Sequence, residues 1–307
     1  MNLLNKAVSK TIPVVPKPLV GLVAMNYIAG THLDDAVRVV KKLMAEGACA
    51  TIDVLGEEVK NREHSLEVVK RYKEVLRAIN SEKLDSGVSV KLTHLGLKID
   101  KEFCYNNVGD LIEEAGKYNI FIRIDMEDHT CTSDTLDIYR RLRQKYNNVG
   151  TVLQSYMRRT ISDINDLLPL KPNLRICKGI YIETRENAYK DGYIVNQNYI
   201  YAVEKLLKND CFVGIATHDE KLVWAALKML DEYEVPSDKY EFQMLLGVDT
   251  QLRKIILDAG HRLRVYVPFG KEWFAYSKRR LQENPKIVGH IMTATIKRIL
   301  RGERQRH

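Results

Sequence analysis

The chain has 307 residues, enough to bury a large core in one big domain or two ordinary ones. Hydrophobic residues make up 45% and charged residues 29%, the balance of a soluble globular protein rather than a disordered or fibrous one. The formal net charge of +8 suits an anionic substrate, a nucleic acid or an anionic membrane surface, and apart from the tail the basic residues are spread too evenly to choose among these.

Five cysteines (Cys49, Cys104, Cys131, Cys177 and Cys211) form no C-x-x-C pair and no zinc-like spacing, which argues against a disulfide framework or a metal clip and for a reducing compartment. Met1–Lys10 lacks the apolar stretch of a secretory signal, and the longest apolar run, Leu19–Ala29, is too short to span a bilayer. A cytoplasmic protein is expected.

Pro13, Pro16 and Pro18 break the early chain, and His32–Glu46 reads as a helix that plugs or caps the main body of the fold. Short β-rich runs then recur at Ala48–Leu55, Val88–Leu92, Ile120–Asp125, Thr151–Gln154, Leu174–Lys178, Phe212–Thr217, Glu241–Leu245 and Leu263–Val267. Between them lie amphipathic stretches, among them Ser65–Ile79, Val108–Tyr118, Thr135–Tyr146, Ala188–Lys208, Lys221–Tyr233 and Thr250–Ala259. Strand–helix alternation predicts a parallel sheet, and eight repeats predict an α/β fold of the closed (β/α)8 TIM-barrel type. A final helix is expected over Lys286–Arg301, with Val288, Ile291, Met292, Ile296 and Ile299 on one face and a basic tail behind it. The expected organisation is an N-terminal helical arm over residues 1–46, a barrel over 47–284 and a C-terminal amphipathic helix over 285–307.

In such barrels chemistry sits at the carboxyl ends of the strands, and the polar residues of this chain gather there. The first strand ends in Asp53 and runs into Glu57, the second ends at Lys91, and the third at Asp125-Met126-Glu127-Asp128-His129. The fourth ends at Gln154, the fifth at Arg175-Ile176-Cys177-Lys178-Gly179, the sixth at Thr217-His218, and the eighth carries Tyr266.

Lys91 reads as a contact for a carboxylate or phosphate, as a Schiff-base nucleophile if burial lowers its pKa, or as a structural partner of Asp125. Asp125 and Glu127 fall on one side of an extended chain while Asp128 points away, which weakens a metal site; Glu127 and Asp128 equally read as caps of the next helix. No residue is assigned to a metal. Arg175, Lys178 and Gly179 suit an anionic cofactor, with Thr217 and His218 extending the same wall. Adjacent Arg279 and Arg280 offer two planar forks to a small carboxylate; the bland alternative is a solvated face on which Arg279 pairs with Glu283. Tyrosines interleave with the basic residues, but no helix-turn-helix, RNP-type motif or zinc finger is present, so no nucleic-acid partner is expected.

The motifs Ser89-Val-Lys91-Leu-Thr-His-Leu-Gly96, Ile122-Arg-Ile-Asp125-Met126-Glu-Asp128, Val152-Leu-Gln154-Ser-Tyr156, Leu174-Arg175-Ile-Cys-Lys178-Gly179-Ile-Tyr181, Ala216-Thr217-His218 and Tyr276-x-x-Arg279-Arg280-Leu-x-Glu283-Asn284 occur in this order. Together they resemble the proline dehydrogenase family in its short, monofunctional bacterial form, over most of the chain from Ala48 to Asn284. The resemblance implies an FAD enzyme that oxidises L-proline to Δ1-pyrroline-5-carboxylate and passes electrons to a quinone-type acceptor. It implies a carboxylate clamp of Lys91, Arg279 and Arg280, with Tyr266 and Tyr181 shaping the pocket and Tyr276 supporting the arginine helix. Asp125 and Arg175 fall on catalytic positions, Asp125 beneath the substrate and orienting Lys91. FAD contacts are implied for Met126, Gln154, Arg175, Lys178, Gly179, Ile180, Thr217 and His218, and gating for Asp53 and Glu57. Ile180 stands where alanine is common in the family and His129 where a small polar residue is frequent, while Arg158-Arg159 add cations of no assigned role. The basic C-terminal helix either packs on the barrel or rests peripherally on the inner face of a membrane. The rival readings are a Schiff-base barrel aldolase acting on a phosphorylated sugar and a basic, non-enzymatic interaction protein.

Overall fold

Eight parallel strands close into one barrel in sequence order, β1 pairing with both β2 and β8. The structure, a computed structural model, describes residues 27–56, 58–274 and 276–277. The strands are β1 (Cys49–Val54), β2 (Ser86–Val90), β3 (Ile122–Ile124), β4 (Val149–Gln154), β5 (Asn173–Cys177), β6 (Phe212–Ala216), β7 (Tyr240–Leu245) and β8 (Leu263–Phe269). Each lies within two residues of its expected ends, so the eightfold reading holds.

The helices are α1 (Leu33–Ala45), α2 (Arg62–Ser81), α3 (Lys101–Gly116), α4 (His129–Arg143), α5 (Thr160–Leu167), α6 (Gly192–Lys208), α7 (Glu220–Glu232) and α8 (Thr250–Asp258). Their starts are set by side chains that accept from otherwise orphaned backbone N–H groups. Asn61 accepts from His64, Asp100 from Phe103, Asp128 from Thr130, Asp191 from Tyr193 and Ile194, and Asp219 from Lys221. These caps explain two departures from the apolar periodicity. Helix α3 begins seven residues before Val108, because Asp100 starts it and its first turns carry polar Asn106 and Asn107. Helix α6 begins at Gly192 rather than Ala188, because Ala188 is held in an antiparallel bridge to Met157. Helix α5, too short to show a pattern, is an element that periodicity does not announce.

Helix α1 flanks the barrel. Just before it, Ala29 N–H donates to Pro268 O and Gly30 O accepts from Gly270 N–H, at the carboxyl end of β8. It then runs back to the start of β1, burying Ala36, Val40 and Leu43 against β8 and β1. It thus lies where a ring helix following β8 would otherwise close the circle.

The apolar core lies between the sheet and its helices. Ile52, Val88, Val90, Ile122, Ile124, Leu174, Ile176, Val213, Ile215, Phe242, Val265 and Val267 face outward and are almost fully buried. They meet helix stripes such as Val68, Tyr72, Val75, Leu76 and Ile79 of α2. Alternation along each strand therefore turns the other set inward, and apart from Val152, Phe212, Ala216 and glycines that set is largely polar: Thr51, Asp53, Ser89, Lys91, Arg123, Asp125, Arg175, Glu241, Gln243, Arg264 and Tyr266. Barrels of this type usually fill their interior with branched aliphatics. Here glycines make room for long polar arms instead: a Cβ on Gly150 would sit 2.4 Å from Arg123 Nη1, and one on Gly214 would sit 2.6 Å from Gln243 Nε2.

Candidate active site

The carboxyl ends of β1, β2, β3, β5 and β8 bring five polar side chains into a ring around the barrel mouth, joined by a chain of hydrogen bonds. Lys91, the residue after β2, places Nζ 2.8 and 2.7 Å from the two oxygens of Asp53 and 3.8 Å from Asp125 Oδ2. It also donates to the Tyr266 hydroxyl over 3.3 Å. That hydroxyl in turn donates to Asp125 Oδ2 at 2.7 Å. Arg175 Nη2 donates to Asp125 Oδ1 at 2.8 Å, and its guanidinium lies 5.5 Å from the centre of the Tyr266 ring.

Two cations and two carboxylates sit in this ring, with Asp53 completely buried and Asp125 6% exposed. Burial alone would push Lys91 towards neutrality, but the charges of Asp53 and Asp125 outweigh it and hold the ammonium above its ordinary pKa. Burial also opposes the charge of Arg175, and Asp125 again reverses the balance upward. The Tyr266 phenol is raised well above its usual range by burial and by Asp125 and Asp53, so it is a hydrogen-bond donor throughout the physiological range.

This ring bears on two alternatives that the sequence left open. A Schiff-base lysine needs a depressed pKa, and Lys91 is shifted the other way. Lys91 does pair with Asp125, at 3.8 Å, but its shorter bonds go to Asp53, while those of Asp125 go to Arg175 and Tyr266. Periodicity put Asp53, Lys91 and Asp125 at strand ends; it carried no information about which of them would pair.

The loop after β3 divides its acidic residues by role. Asp128 caps α4, whereas Glu127 is buried and accepts from Thr93 N–H at 3.0 Å and Thr93 Oγ1 at 2.5 Å. Burial raises the Glu127 carboxyl, partly offset by the Thr93 bonds and by Lys91. The Thr93–Glu127 bonds tie the turn after Lys91 to the turn after Asp125. His129 donates its backbone N–H to Glu183 Oε1 at 2.8 Å and sets Nδ1 2.5 Å from Glu183 Oε2, joining α4 to the long loop after β5. Glu183, which nothing in the sequence singled out, is the anchor of that loop, and Lys190 Nζ donates to its carbonyl.

On the β4–β6 side the expected cofactor residues line a second wall. Lys178 Nζ holds Asp219 Oδ2 at 2.7 Å, and Asp219 N–H donates to Thr217 Oγ1 at 3.0 Å. His218 accepts from Leu245 N–H at Nε2 over 2.9 Å, which fixes its tautomer and pins the end of β7. Gln154 Nε2 reaches Met126 O at 3.4 Å. Gly179 has φ +107°, and a Cβ there would lie 2.2 Å from the Tyr156 ring, so no side chain fits. A cavity of about 370 Å³ opens beside it, lined by Tyr156, Lys178, Gly179, Tyr189, Val195 and Asn196. Among the described residues, Arg175 Nε and Gln154 Oε1 are buried without a hydrogen-bond partner. A buried donor and a buried acceptor left open at a barrel mouth suit a polar planar ligand, since such groups are otherwise costly.

Tyr181 and Ile180 follow Gly179 in the same loop and are partly exposed, and Tyr276 is buried close enough to Tyr266 to contribute to the shift of its phenol. Arg158 stacks 4.6 Å from the Tyr189 ring centre and donates to Arg185 O, while Arg159 forks onto Asp163 and reaches Ser133; both are structural. Glu57, Arg279, Arg280, Glu283, Asn284 and the Lys286–Arg301 helix lie outside the described residues. No group of three or more metal-ligating side chains occurs among the described residues, and none of their helices is long and apolar enough to cross a membrane.

Comparison with known proteins adds an independent line. A family model described as proline dehydrogenase matches residues 36–292. Proline dehydrogenase 2 of Bacillus subtilis (strain 168) is 36% identical over 275 residues, covering 90% of this chain and 91% of its own. The proline dehydrogenase of Deinococcus radiodurans is 33% identical over 279 residues, covering 89% and 90%. Among solved structures, proline utilization A from Bdellovibrio bacteriovorus, inactivated by N-propargylglycine, superposes with a TM-score of 0.81 at 25% identity. That match spans 85% of this chain but 32% of the longer protein.

Proposed function

The chain belongs to the proline dehydrogenase family, an oxidoreductase family acting on the CH–NH group, and from that premise we propose that it oxidises L-proline to Δ1-pyrroline-5-carboxylate with FAD. The observation that carries this reading is the Asp53–Lys91–Tyr266–Asp125–Arg175 ring beside buried polar atoms left open for a ligand.

FAD, if held by the residues of the second wall, would supply at N5 the two-electron acceptor for the hydride that leaves proline C5 as the ring C–N bond becomes an imine. Lys91 gives the substrate carboxylate a cation held ready by Asp53, and Arg279 and Arg280 complete the clamp. Tyr266 and Tyr181 shape the pocket around the small ring. Holding the carboxylate fixes C5 in one orientation, the entropic part of catalysis. The ring nitrogen reacts in its deprotonated form, whose lone pair drives the hydride from C5. Asp125, beneath the substrate, keeps Tyr266 and Arg175 oriented. Arg175 places positive charge where negative charge gathers during reduction, and its open Nε is a donor for that purpose. Met126, Gln154, Lys178, Gly179, Ile180, Thr217 and His218 form the remaining cofactor wall, with the Gly179 cradle allowing close approach of the backbone. Asp53 and Glu57 begin the loop that closes the site.

We assign catalysis to residues 47–284, with 1–46 as a flanking arm and 285–307 as an amphipathic tail. We place the protein in the cytoplasm with a quinone-type electron acceptor, its tail either packing on the barrel or resting peripherally on the inner face of a membrane. Incubating the flavin-loaded protein with L-proline and a quinone analogue should generate an imine that forms a yellow adduct with o-aminobenzaldehyde. Acceptor reduction without that adduct would rule out proline C–N oxidation.

A further inference from the structure

At the opposite, amino-terminal end of the barrel, a cavity of about 240 Å³ is lined by Arg123, Arg262, Arg264, Glu241, Gln243 and Asn173. Its charges do not cancel. Arg264 forks onto Glu241 at 2.6 and 3.0 Å, and Arg262 leans on the same carboxylate at 3.4 Å and on Asp85 at 3.0 Å. Arg123, 6% exposed, makes no direct ion pair among the described residues, although Glu241 is near enough for its charge to act on it. It donates to Thr151 O, Asn173 O and Asn173 Oδ1 at 2.9, 2.9 and 2.5 Å and lies 4.9 Å from the Phe121 ring centre. Three guanidiniums therefore face two carboxylates, and the surplus belongs to the most buried one. Its condition is costly: burial and the charge of Arg175 pull Arg123 down to about 9, against the opposing pull of Glu241.

The polar arms around the cavity are seated by glycines: Gly150 leaves the space Arg123 occupies and Gly214 the space of Gln243. Barrels of this type usually fill this layer with aliphatic side chains; this one holds a cavity where three guanidiniums stand beside Glu241, Phe121 and Phe212, and Arg123 makes three bonds with its five N–H groups. We propose that the chamber is a binding site for a small inorganic oxyanion, held between Arg123, Arg262 and Arg264. An oxyanion with several waters fits the volume, and planar guanidiniums are the groups best matched to its oxygens. Arg262 takes no part in the proline-oxidising ring, so a test made on it stands or falls independently of the proposed function.

The test uses the full-length, flavin-loaded protein and inorganic phosphate, with potassium chloride at matched ionic strength as control. Phosphate should raise Tm saturably by about 2–5 °C above the chloride control, and calorimetric titration should show one site. Arg262→Gln, at the half-exposed rim, should weaken that binding at least about tenfold and leave proline oxidation unchanged; Arg123→Gln should abolish it. Equal Tm shifts in phosphate and chloride, or wild-type phosphate affinity in Arg262→Gln, would overturn the site, and Arg262→Gln decides the matter even if Arg123→Gln does not fold.

Discussion

Lys91→Ala is expected to be the most damaging single substitution at the barrel mouth, raising the KM for proline about 10²–10³-fold and lowering stability by about 3–5 kcal/mol. The two effects have one origin. Lys91 Nζ is the 2.7 Å partner of the fully buried Asp53 and stands 3.8 Å from Asp125. Alanine removes the cation and leaves Asp53 buried with only the long contact from Tyr72 OH, at 3.5 Å. The stability loss corresponds to a drop in Tm of roughly 6–20 °C. The binding effect is separable from it. Pyrrolidine lacks the carboxylate, so any activity on it measured below the variant's melting range should fall far less than activity on proline. An equal loss on both compounds would deny Lys91 a place in the carboxylate clamp.

Arg175→Ala is expected to act on the other half of the reaction, slowing proline-dependent flavin reduction about 10²–10³-fold with KM changed only a few-fold. Arg175 donates to Asp125 through Nη2 and keeps Nε buried and open. Tyr266 still holds Asp125 Oδ2 at 2.7 Å in the variant, so the pocket keeps its shape while losing positive charge. Stopped-flow traces should show the rate constant for reduction falling and the flavin potential shifting negative. A large rise in KM with an unchanged reduction rate would move Arg175 from electrostatics to substrate binding.

The barrel was legible because its signal repeats. Eight β-rich runs separated by helical periodicities leave little choice of fold, and the rule that chemistry sits at strand ends then picked out Asp53, Lys91, Asp125, Arg175 and Tyr266. The pairing within that set was not legible. Whether Lys91 leans on Asp53 or Asp125 depends on differences of about an ångström across strands 38 and 34 residues from it in sequence, which no local pattern encodes. Glu183 escaped notice because its role is to receive His129 from another loop. The Gly150 and Gly214 spaces are visible only once β4 and β6 are registered against Arg123 and Arg175. Helix α5 carries too few turns for periodicity to speak. Arg279 and Arg280 were assigned to the clamp through the family motif, and they lie outside the described residues.

The claim at the centre of this account is that one pocket brings L-proline and flavin together. The most direct measurement is the visible absorption spectrum of the purified protein before and after L-proline is added without oxygen. The account predicts oxidised flavin bands that bleach on addition of proline. A flavin that stays oxidised in the presence of saturating proline, or a colourless protein that FAD cannot reconstitute, would contradict it.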